Sequence, residues 1–416
     1  MDKIQKTFES TIAEYLPRKV CLRIIKDKCD AFGIRLNQGQ LDYIESKLAS
    51  ISGNNLTIPF DDEQLKDSTI PKEITSKGKL TIPLDDVENV DNVSEEILEQ
   101  FLSKLPDLIS EITDVLLRAL KKDAHKKLKQ DKQRRSKFEN NLNKTWKEPI
   151  DLLELFLALA SELGEEFNHE YRPTAAEHQD HGFDVLTRLH ARSCQIGFEV
   201  LTLLRSGFAD GAHARWRTLH EIAVIALFIA EYGDEVANQY LCYDVVDCYK
   251  AAKLYQQYCA SLGYEPFTQE ELDKMKDTYE QMKTRFGFTF TKSYGWAAKI
   301  VGKDSPTFRD IERSIKMDHM RPYYRLASHN VHADPRGVFF KLGLSSTEED
   351  ILLAGPSNTG FADPASGTAL SITQVTTALL NHKPNLDRIV ASNILMKLKD
   401  EIGDAFVETQ AKLEND

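Results

Sequence analysis

One short segment of the chain brings together side chains that are typical of chemistry on phosphate. Residues 321–335 read Arg-Pro-Tyr-Tyr-Arg-Leu-Ala-Ser-His-Asn-Val-His-Ala-Asp-Pro. Pro322 suits the first turn of a helix and Pro335 discourages helix before it, so about three helical turns are expected between them. At about 100° per residue, four polar side chains fall on one face of that helix. These are Arg325, Ser328, His329 and His332.

A guanidinium and imidazoles on one face are the groups that cleave RNA without a metal ion. A histidine takes the proton from a ribose 2′-hydroxyl as that oxygen attacks the adjacent phosphate, and a fixed guanidinium neutralises the charge on the phosphate oxygens. We assign binding and stabilisation of the phosphate to Arg325. We assign transfer of the proton, as base or acid, to His332. His329 could replace His332 or bind phosphate beside it, and Ser328 could orient the imidazole of His332.

The same residues also have a purely structural interpretation. Arg325 would make a buried ion pair, while His329 and His332 would cap the helix end and satisfy polar groups. The deciding observation is whether Arg325 and His332 share an open cleft with Arg217 or are enclosed by apolar side chains.

A second polar pair lies in an otherwise apolar run. Residues 210–232 are apolar nearly all round, which predicts the central, buried helix of a bundle. Arg217 and Glu221 lie four residues apart there, so they form either a buried ion pair that fixes helix register or the lining of a polar cleft. We assign Tyr324 and Asn330 to the same cleft.

Helical periodicity recurs through most of the chain. Runs with this spacing cover about 149–167, 183–204, 210–232, 235–262, 269–285, 307–318, 369–381 and 386–413. Gly207 separates two of them as a helical hairpin, and 343–367 is a loop that acts as a lid or as a surface excursion. Strands and helices do not alternate, which excludes a doubly wound sheet. The sequence predicts an all-α, multi-helix bundle.

The amino-terminal third differs in composition from the rest. We predict four parts. They are a small helical unit (1–52), a linker (53–93), a charged helix (94–145) and the bundle (146–416). The linker repeats Leu-Thr-Ile-Pro-x-Asp-Asp at Leu56 and Leu80. The repeat predicts a short β-hairpin at about 55–86, or an arm that docks twice in the same manner, with each proline confined to an edge position.

Charge is distributed unevenly along the chain. The 416 residues carry a formal net charge of -12, which argues against a protein that coats nucleic acid with its whole surface. Residues 121–147 hold eleven Lys and Arg against three acidic residues, a local charge of +8 that leaves -20 elsewhere. This segment is a solvated helix or linker, a partner-binding arm, or a guide for RNA. The residues assigned to RNA guidance are Lys126, Lys127, Lys129, Arg134 and Arg135.

Several classes of site are disfavoured. The six cysteines lack metal-site spacing, no apolar run is long enough to span a bilayer, and the N-terminus lacks a secretory signal. We therefore expect a cytoplasmic protein with no organic cofactor and no membrane partner. A polar cluster lies at a predicted loop-to-helix junction, where N-capping and solvation compete with divalent metal binding, and we assign no metal to it. Its members are His169, Glu170, Glu177, His178, Asp180, His181 and Asp184.

Several separated motifs resemble an uncharacterised family of all-helical bacterial proteins. They are Leu203–Ala212, Arg215–Glu221, Tyr240, Tyr243-Asp244, Tyr294–Ala297 and Ser328–His332. The resemblance covers about Trp146 to Asn381. The family is classed as a domain of unknown function, and its members look distantly HEPN-like. Arg325 and His332 fit the loose HEPN pattern of arginine, four to six residues, then histidine, whereas Leu326 stands where many nuclease members have a polar residue.

The resemblance implies a helical bundle with a HEPN-like core and, more loosely, an association with antiphage defence or toxin systems. Together with the Arg325 and His332 pattern, it leaves two functional hypotheses. The first is a metal-independent endoribonuclease of an antiphage defence or toxin system, active as a homodimer that holds RNA between two copies of the 325–332 helix. The second is a non-catalytic interaction or regulatory protein of such a system, with a protein partner bound through residues 1–93.

Overall fold

The computed structural model describes residues 18–31, 34–48, 55–59, 75–76, 79–83, 90–332, 335–344 and 352–415. The chain divides into two units, Met1–Gln130 and Asp131–Asp416. The predicted four-part organisation stays a prediction. Of the helices in the described ranges, none has both the length and the apolar composition needed to cross a membrane.

Helices dominate both units. In chain order they are α1 (residues 18–31), α2 (Gln38–Leu48), α3 (Val90–Thr145), α4 (Lys147–His178), α5 (His181–Arg205), α6 (Ala209–Tyr232), α7 (Asp234–Leu262), α8 (Gln269–Phe286), α9 (Ala298–Val301), α10 (Phe308–Ser314), α11 (Arg321–His329), α12 (Pro335–Phe339), α13 (Ala362–Leu380) and α14 (Leu386–Asn415). Short 3-10 helices cover Phe288–Thr291, Gly295–Ala297 and Asp318–Met320. The predicted multi-helix bundle is confirmed.

The first unit contains the three strands of the described chain. They are β1 (Asn55–Pro59), β2 (Thr75–Ser76) and β3 (Lys79–Pro83). β1 pairs antiparallel with β3, so that Leu56 lies opposite Ile82 and Ile58 opposite Leu80. The two Leu-Thr-Ile-Pro repeats therefore pair with each other, as the predicted hairpin requires.

The turn between α5 and α6 depends on Gly207. This residue has φ +84°, and a Cβ atom there would lie 2.8 Å from the carbonyl oxygen of Ser357. Only glycine tolerates both the left-handed backbone and the close approach. The predicted helical hairpin is confirmed.

α6 and α13 form the centre of the second unit. Ala223, Val224 and Phe228 of α6 are fully buried, and α13 packs against α4, α5, α6 and α14. The indole nitrogen of Trp216 donates to the Ser371 hydroxyl at 3.2 Å. The two central helices are thus joined by a polar contact inside an apolar core.

The loop predicted over 343–367 is shorter than expected, because α13 begins at Ala362. Gly367 lies inside α13, where a Cβ atom would come within 2.7 Å of the Trp216 indole. Gly367 therefore permits close helix packing and does not mark a loop. Residues 345–351 of the predicted lid lie outside the described residues.

The described end of that loop is held against the bundle. Trp146 donates to Asn358 Oδ1 at 3.0 Å, and its ring packs on the buried Phe361 at 4.8 Å. The backbone N–H of Ser357 donates to the Gly207 carbonyl at 2.9 Å. This part of the loop is a fixed element of the core.

The chain between α10 and α11 differs from the predicted helix over 307–318. α10 ends at Ser314, Lys316 adopts φ +59°, and a separate 3-10 turn follows at Asp318. The N–H of Met317 donates to the Glu312 carbonyl at 2.8 Å, which closes the turn. A left-handed residue ends a helix, and periodicity alone does not report it.

Candidate functional site

α11 is the proline-initiated helix that the sequence predicted, but it is shorter than three turns. Pro322 lies in its first turn, and its last helical residue is His329. The N–H of His332 still donates to the Ser328 carbonyl at 3.1 Å, so the chain keeps a helical turn beyond the assigned end. His332 thus lies one turn beyond α11, in a turn where the N–H groups of Asn330 and Val331 donate to carbonyls three residues back.

α11 packs through one side only. Tyr324 and Ala327 are buried, whereas Arg325 and His332 are exposed and His329 is half-buried. Within α11, helical geometry places Arg325 and His329 about 40° apart, on a side away from Tyr324. Arg325 and His332 are thus open to solvent, and their alignment with His329 on one face stays a prediction.

Arg325 does not make the buried ion pair of the structural interpretation. Neither its side chain nor that of His332 has a hydrogen bond or ion pair within the described chain. Arg217 contacts the packed side of α11 through Tyr324, and no contact there joins it to Arg325 or His332. Arg325 therefore lies on a different side of α11 from the one that Arg217 and Glu221 contact.

Ser328 uses its proton within α11. Its hydroxyl donates to the Tyr324 carbonyl, four residues earlier, at 2.8 Å. Such a bond is common for a helical serine. An influence of Ser328 on the His332 imidazole would have to come from the oxygen lone pairs.

The packed side of α11 is joined to α6 by three polar side chains. Arg217 Nη2 donates to the Tyr324 hydroxyl at 2.9 Å, and that hydroxyl donates to Glu221 Oε1 at 2.5 Å. Arg217 and Glu221 also pair directly at 3.2 Å, with 25% and 31% of their side chains exposed. Burial, followed by the hydrogen bond to Glu221, raises the pKa of Tyr324 to about 12. The predicted pair is half-buried and anchors α11.

A second polar contact beside it is centred on a fully buried carboxylate. Glu312 is 0% exposed and accepts from His220 Nε2 at 3.1 Å and from Arg321 Nη1 at 2.7 Å. A buried carboxylate is tolerated only when it is paired and hydrogen-bonded, and here it has both kinds of partner. Glu312 thus joins α10 to α6 and to the start of α11.

These contacts form one cluster, which we call the α6–α11 network. Its members are Arg217, His220, Glu221, Glu312, Arg321 and Tyr324. The Arg217 and Arg321 guanidinium groups lie 5.0 Å and 4.8 Å from the centre of the Tyr324 ring. Burial raises the pKa of Tyr294, and the nearby Glu221 carboxylate adds to that shift.

Most polar atoms of the network are used internally, so its main effect is to hold α11 in place. Two of the enclosed nitrogens that have no hydrogen-bond partner within the described ranges lie on α6 and just after α11: Nε of Arg217 and Nδ2 of Asn330. Asn330 was assigned to the cleft with Arg217, and the structure shows no contact between them in this part of the chain.

Sequence reasoning missed Glu312, His220 and Arg321. The signal was weak, since each lies on a different element and their contacts join residues 92 and 9 positions apart. In the sequence, the position of Glu312 directly after the apolar Ile311 was the only sign that this carboxylate could be buried. Its burial follows only from tertiary packing.

The His169–Asp184 cluster is divided between two helices. Gln179 adopts φ +53° and ends α4, so Glu177 lies on α4 whereas His181 begins α5. Asp180 caps α5 by accepting from the Phe183 N–H at 2.8 Å, and it also accepts from His382 at 2.8 Å. Among the described residues, no group of three or more His, Cys, Asp or Glu is placed to hold a metal ion.

The residues assigned to RNA guidance all lie on α3 and are exposed. They are Lys126, Lys127, Lys129, Arg134 and Arg135. Their exposure is compatible with each of the three interpretations of the basic segment.

A groove outside the predicted site lies between α7 and α8. Its volume is about 420 Å³. Its lining includes Asp244, Cys248, Tyr249, Glu271 and Lys274. None of the residues assigned to RNA chemistry lines it.

Comparison with protein families finds a match over part of the chain. Residues 183–350 match the model of DUF5677, a family of unknown function. The DUF5677 segment lies inside the range 146–381 expected from the resemblance, and it is helical. It contains the whole α6–α11 network together with Arg325, His329 and His332. Comparisons with curated proteins and with solved structures find no match.

Proposed function

We propose that this chain is a metal-independent, HEPN-like endoribonuclease of a bacterial antiphage defence or toxin system. The observation that carries the proposal is that Arg325 of α11 and His332, one turn beyond it, are both exposed and have no side-chain partner in the described chain. A phosphate and its neighbouring ribose are ligands that these two groups can engage together.

The reaction is written as an internal transfer at phosphorus. His332 takes the proton of the ribose 2′-hydroxyl, and the 2′-oxygen forms a bond to the adjacent phosphorus. The bond from phosphorus to the 5′-oxygen of the next nucleotide breaks, and that oxygen takes a proton from His329 or from water. Arg325 neutralises the charge that develops on the phosphate oxygens. The products are a 2′,3′-cyclic phosphate and a 5′-hydroxyl.

The α6–α11 network supports this assignment because it orients the helix that carries Arg325. Tyr324 is fixed by Arg217 and Glu221, and Arg321 is fixed by the buried Glu312. A catalytic group gains from being positioned before the substrate arrives. Because Arg325 follows Tyr324 directly, the contacts that fix Tyr324 also position the backbone of Arg325.

Local charge also favours an anionic substrate at this place. Residues 313–341 contain six Lys and Arg against two Asp, a formal charge of +4 in a chain of -12. Three histidines in the same stretch add charge when protonated. In a chain of net negative charge, this segment and the basic part of α3 are the places that would attract RNA.

The proposal includes a cytoplasmic homodimer with RNA held between two copies of α11. The exposed Lys and Arg of α3 would contribute phosphate contacts that do not depend on sequence. The cytoplasmic location, the homodimer and the phosphate contacts of α3 go beyond the exposure of Arg325 and His332, and each needs its own test.

A second candidate function is that of a non-catalytic interaction protein. Val338 and Phe339 of α12 are 65% and 86% exposed, and Val331 beside α11 is 48% exposed. Exposed apolar residues close together favour a protein contact. A partner bound through residues 1–93 belongs to the same alternative.

The test is cleavage of a panel of structured RNAs in EDTA by the full chain and by Arg325→Ala and His332→Ala. We expect each substitution to reduce the cleavage rate by 10²-fold or more, since a general base or a charge-neutralising group contributes about that much. The variants should keep the thermal stability of the wild type, because both side chains are exposed.

Arg309→Ala and His169→Ala are matched controls, because both residues are exposed and lie on other helices. They should cleave like the wild type. Equal cleavage by the wild type, Arg325→Ala and His332→Ala would remove the enzyme proposal. Absence of cleavage across the panel would favour the interaction protein.

A further inference from the structure

The first half of α3 carries a long apolar stripe that faces solvent. Its large side chains are about half exposed, an unusual state for so many neighbouring apolar residues. The exposed fractions are 51% for Leu102, 55% for Ile109, 40% for Ile112, 43% for Leu116 and 65% for Leu120.

The spacing of the stripe is that of helices that associate side by side. Positions 102, 105, 109, 112, 116 and 119 hold Leu, Leu, Ile, Ile, Leu and Ala, with alternating steps of three and four residues. This is the apolar seam of a coiled coil, and it extends over about 26 Å of helix. A helix packed only within its own chain would have this seam buried.

The charges of α3 are separated along its length. Residues 90–114 contain seven Asp and Glu against one Lys, a charge of -6. Residues 118–144 contain eleven Lys and Arg against three acidic residues, a charge of +8. The boundary between the two halves falls within the apolar stripe. Two parallel copies would bring like charges together, whereas two antiparallel copies pair opposite charges.

We propose that a second copy of this chain binds the stripe, with the two α3 helices antiparallel. The seam matches itself in that orientation. Ile109 of one copy lies opposite Ile112 of the other, Leu105 opposite Leu116, and Leu102 opposite Ala119. The two residue numbers of each pair add up to the same total. One two-fold axis between residues 110 and 111 therefore generates all of the pairs. The acidic residues 90–114 of each helix then face residues 107–131 of the other, which include six of the eleven basic residues.

The first experiment measures the molar mass of the full chain by light scattering during size-exclusion chromatography. We expect twice the chain mass of 47.3 kDa for the wild type and one chain mass for the double variant Ile109→Glu, Ile112→Glu. The control is Leu117→Glu, at a residue that is 44% exposed and lies outside the seam. It should remain a dimer.

Circular dichroism of the double variant should match that of the wild type, because the substituted side chains are exposed in a single chain. A wild-type mass other than that of two chains overturns the proposal. A double variant that stays dimeric overturns it as well.

The second experiment tests the orientation by cross-linking. Leu102→Cys and Ala119→Cys are made separately in a Cys248→Ser background, because Cys248 is an exposed cysteine of the described chain. In the antiparallel dimer, residue 102 of one copy is about 26 Å from residue 102 of the other, far beyond the reach of a disulfide. Each variant alone should therefore give no covalent dimer, and a mixture of the two should give one on oxidation. Covalent dimers from Leu102→Cys alone would contradict the antiparallel arrangement.

This inference does not rest on ribonuclease activity. The chain mass and the cross-links report the dimer whether or not RNA is cleaved. The Arg325 and His332 variants leave the stripe of α3 unchanged.

Discussion

The phenolic hydroxyl of Tyr324 lies 2.5 Å from Glu221 Oε1 and donates a hydrogen bond to it. This contact joins α11 to the central helix α6, between residues that are 103 positions apart. Arg325 follows Tyr324 directly, so the contact that fixes the tyrosine also sets the direction of the arginine. Tyr324 thus links the contacts on the packed side of α11 to the position of Arg325 on the exposed side.

Replacing Tyr324 by phenylalanine should destabilise the chain by about 1 to 3 kcal/mol. The substitution removes the hydrogen bonds to Glu221 and from Arg217, and it leaves two charged groups with fewer partners. Urea denaturation measures the loss. Tyr323→Phe is the control, since this neighbour is 49% exposed, and it should stay within about 0.5 kcal/mol of the wild type. Equal stability of the two variants would show that the hydroxyl contributes nothing.

Glu312→Gln should have a larger effect, roughly 3 kcal/mol or more. The carboxylate is fully buried and accepts from His220 and Arg321, so loss of its charge leaves both donors with a weaker acceptor. The same denaturation experiment measures the loss. Asp318→Asn serves as the control, because its ion pair with Arg313 is exposed and long at 3.9 Å. A Glu312→Gln protein as stable as this control would contradict the structural importance of the network.

Acid should weaken the bundle before its carboxylates protonate. Burial lowers the pKa of His190 to about 4, and it lowers the pKa of His213 to about 4. Both imidazoles are therefore neutral in the folded chain, while in the unfolded chain they bind protons below about pH 6.5. Stability should be constant above about pH 6.5 and fall as the pH drops towards 4, by roughly 2 kcal/mol per buried histidine by pH 5.

The measurement is urea denaturation at pH 7.5 and pH 5. His190→Asn keeps a donor near Thr376 but does not titrate, so it should lose part of the pH dependence. The exposed His169 offers the control His169→Asn, which should keep the full dependence. A wild-type chain with equal stability at both pH values would contradict this account of the buried histidines.

The salt dependence of RNA affinity should show whether Arg325 contacts a phosphate. If this guanidinium contacts one phosphate of a single strand, Arg325→Ala should reduce the slope of log affinity against log salt by about 0.7. Fluorescence anisotropy of a labelled RNA at several salt concentrations measures the slope. Arg309→Ala should leave it unchanged, and a slope unaffected by either substitution would place the phosphate elsewhere.

Much of the architecture could be predicted from local patterns. Apolar residues at helical spacing located α5 to α8 within a few residues, and Gly207 was identified as the turn between α5 and α6. The repeated Leu-Thr-Ile-Pro segments predicted strands that the structure pairs with each other. These features depend on neighbouring residues, which a sequence displays directly.

The remaining features depend on contacts between distant residues. Gly367 resembles a loop residue until the Trp216 ring is placed against it, and Glu312 resembles a surface carboxylate until His220 is placed beside it. The predicted pair of Arg217 and Glu221 was located correctly on α6, yet its partner Tyr324 lies more than 100 residues away. The sequence pattern shows each of these residues but not the packing that brings them together.

The chemistry of the RNA ends tests the central claim most directly. After incubation with the wild-type chain in EDTA, cleaved RNA should carry 2′,3′-cyclic phosphate and 5′-hydroxyl ends, and Arg325→Ala and His332→Ala should produce neither above background. Ends that carry a 5′-phosphate, or cleavage of a substrate that lacks the 2′-hydroxyl at the cleaved position, would contradict the assignment of the exposed side of α11.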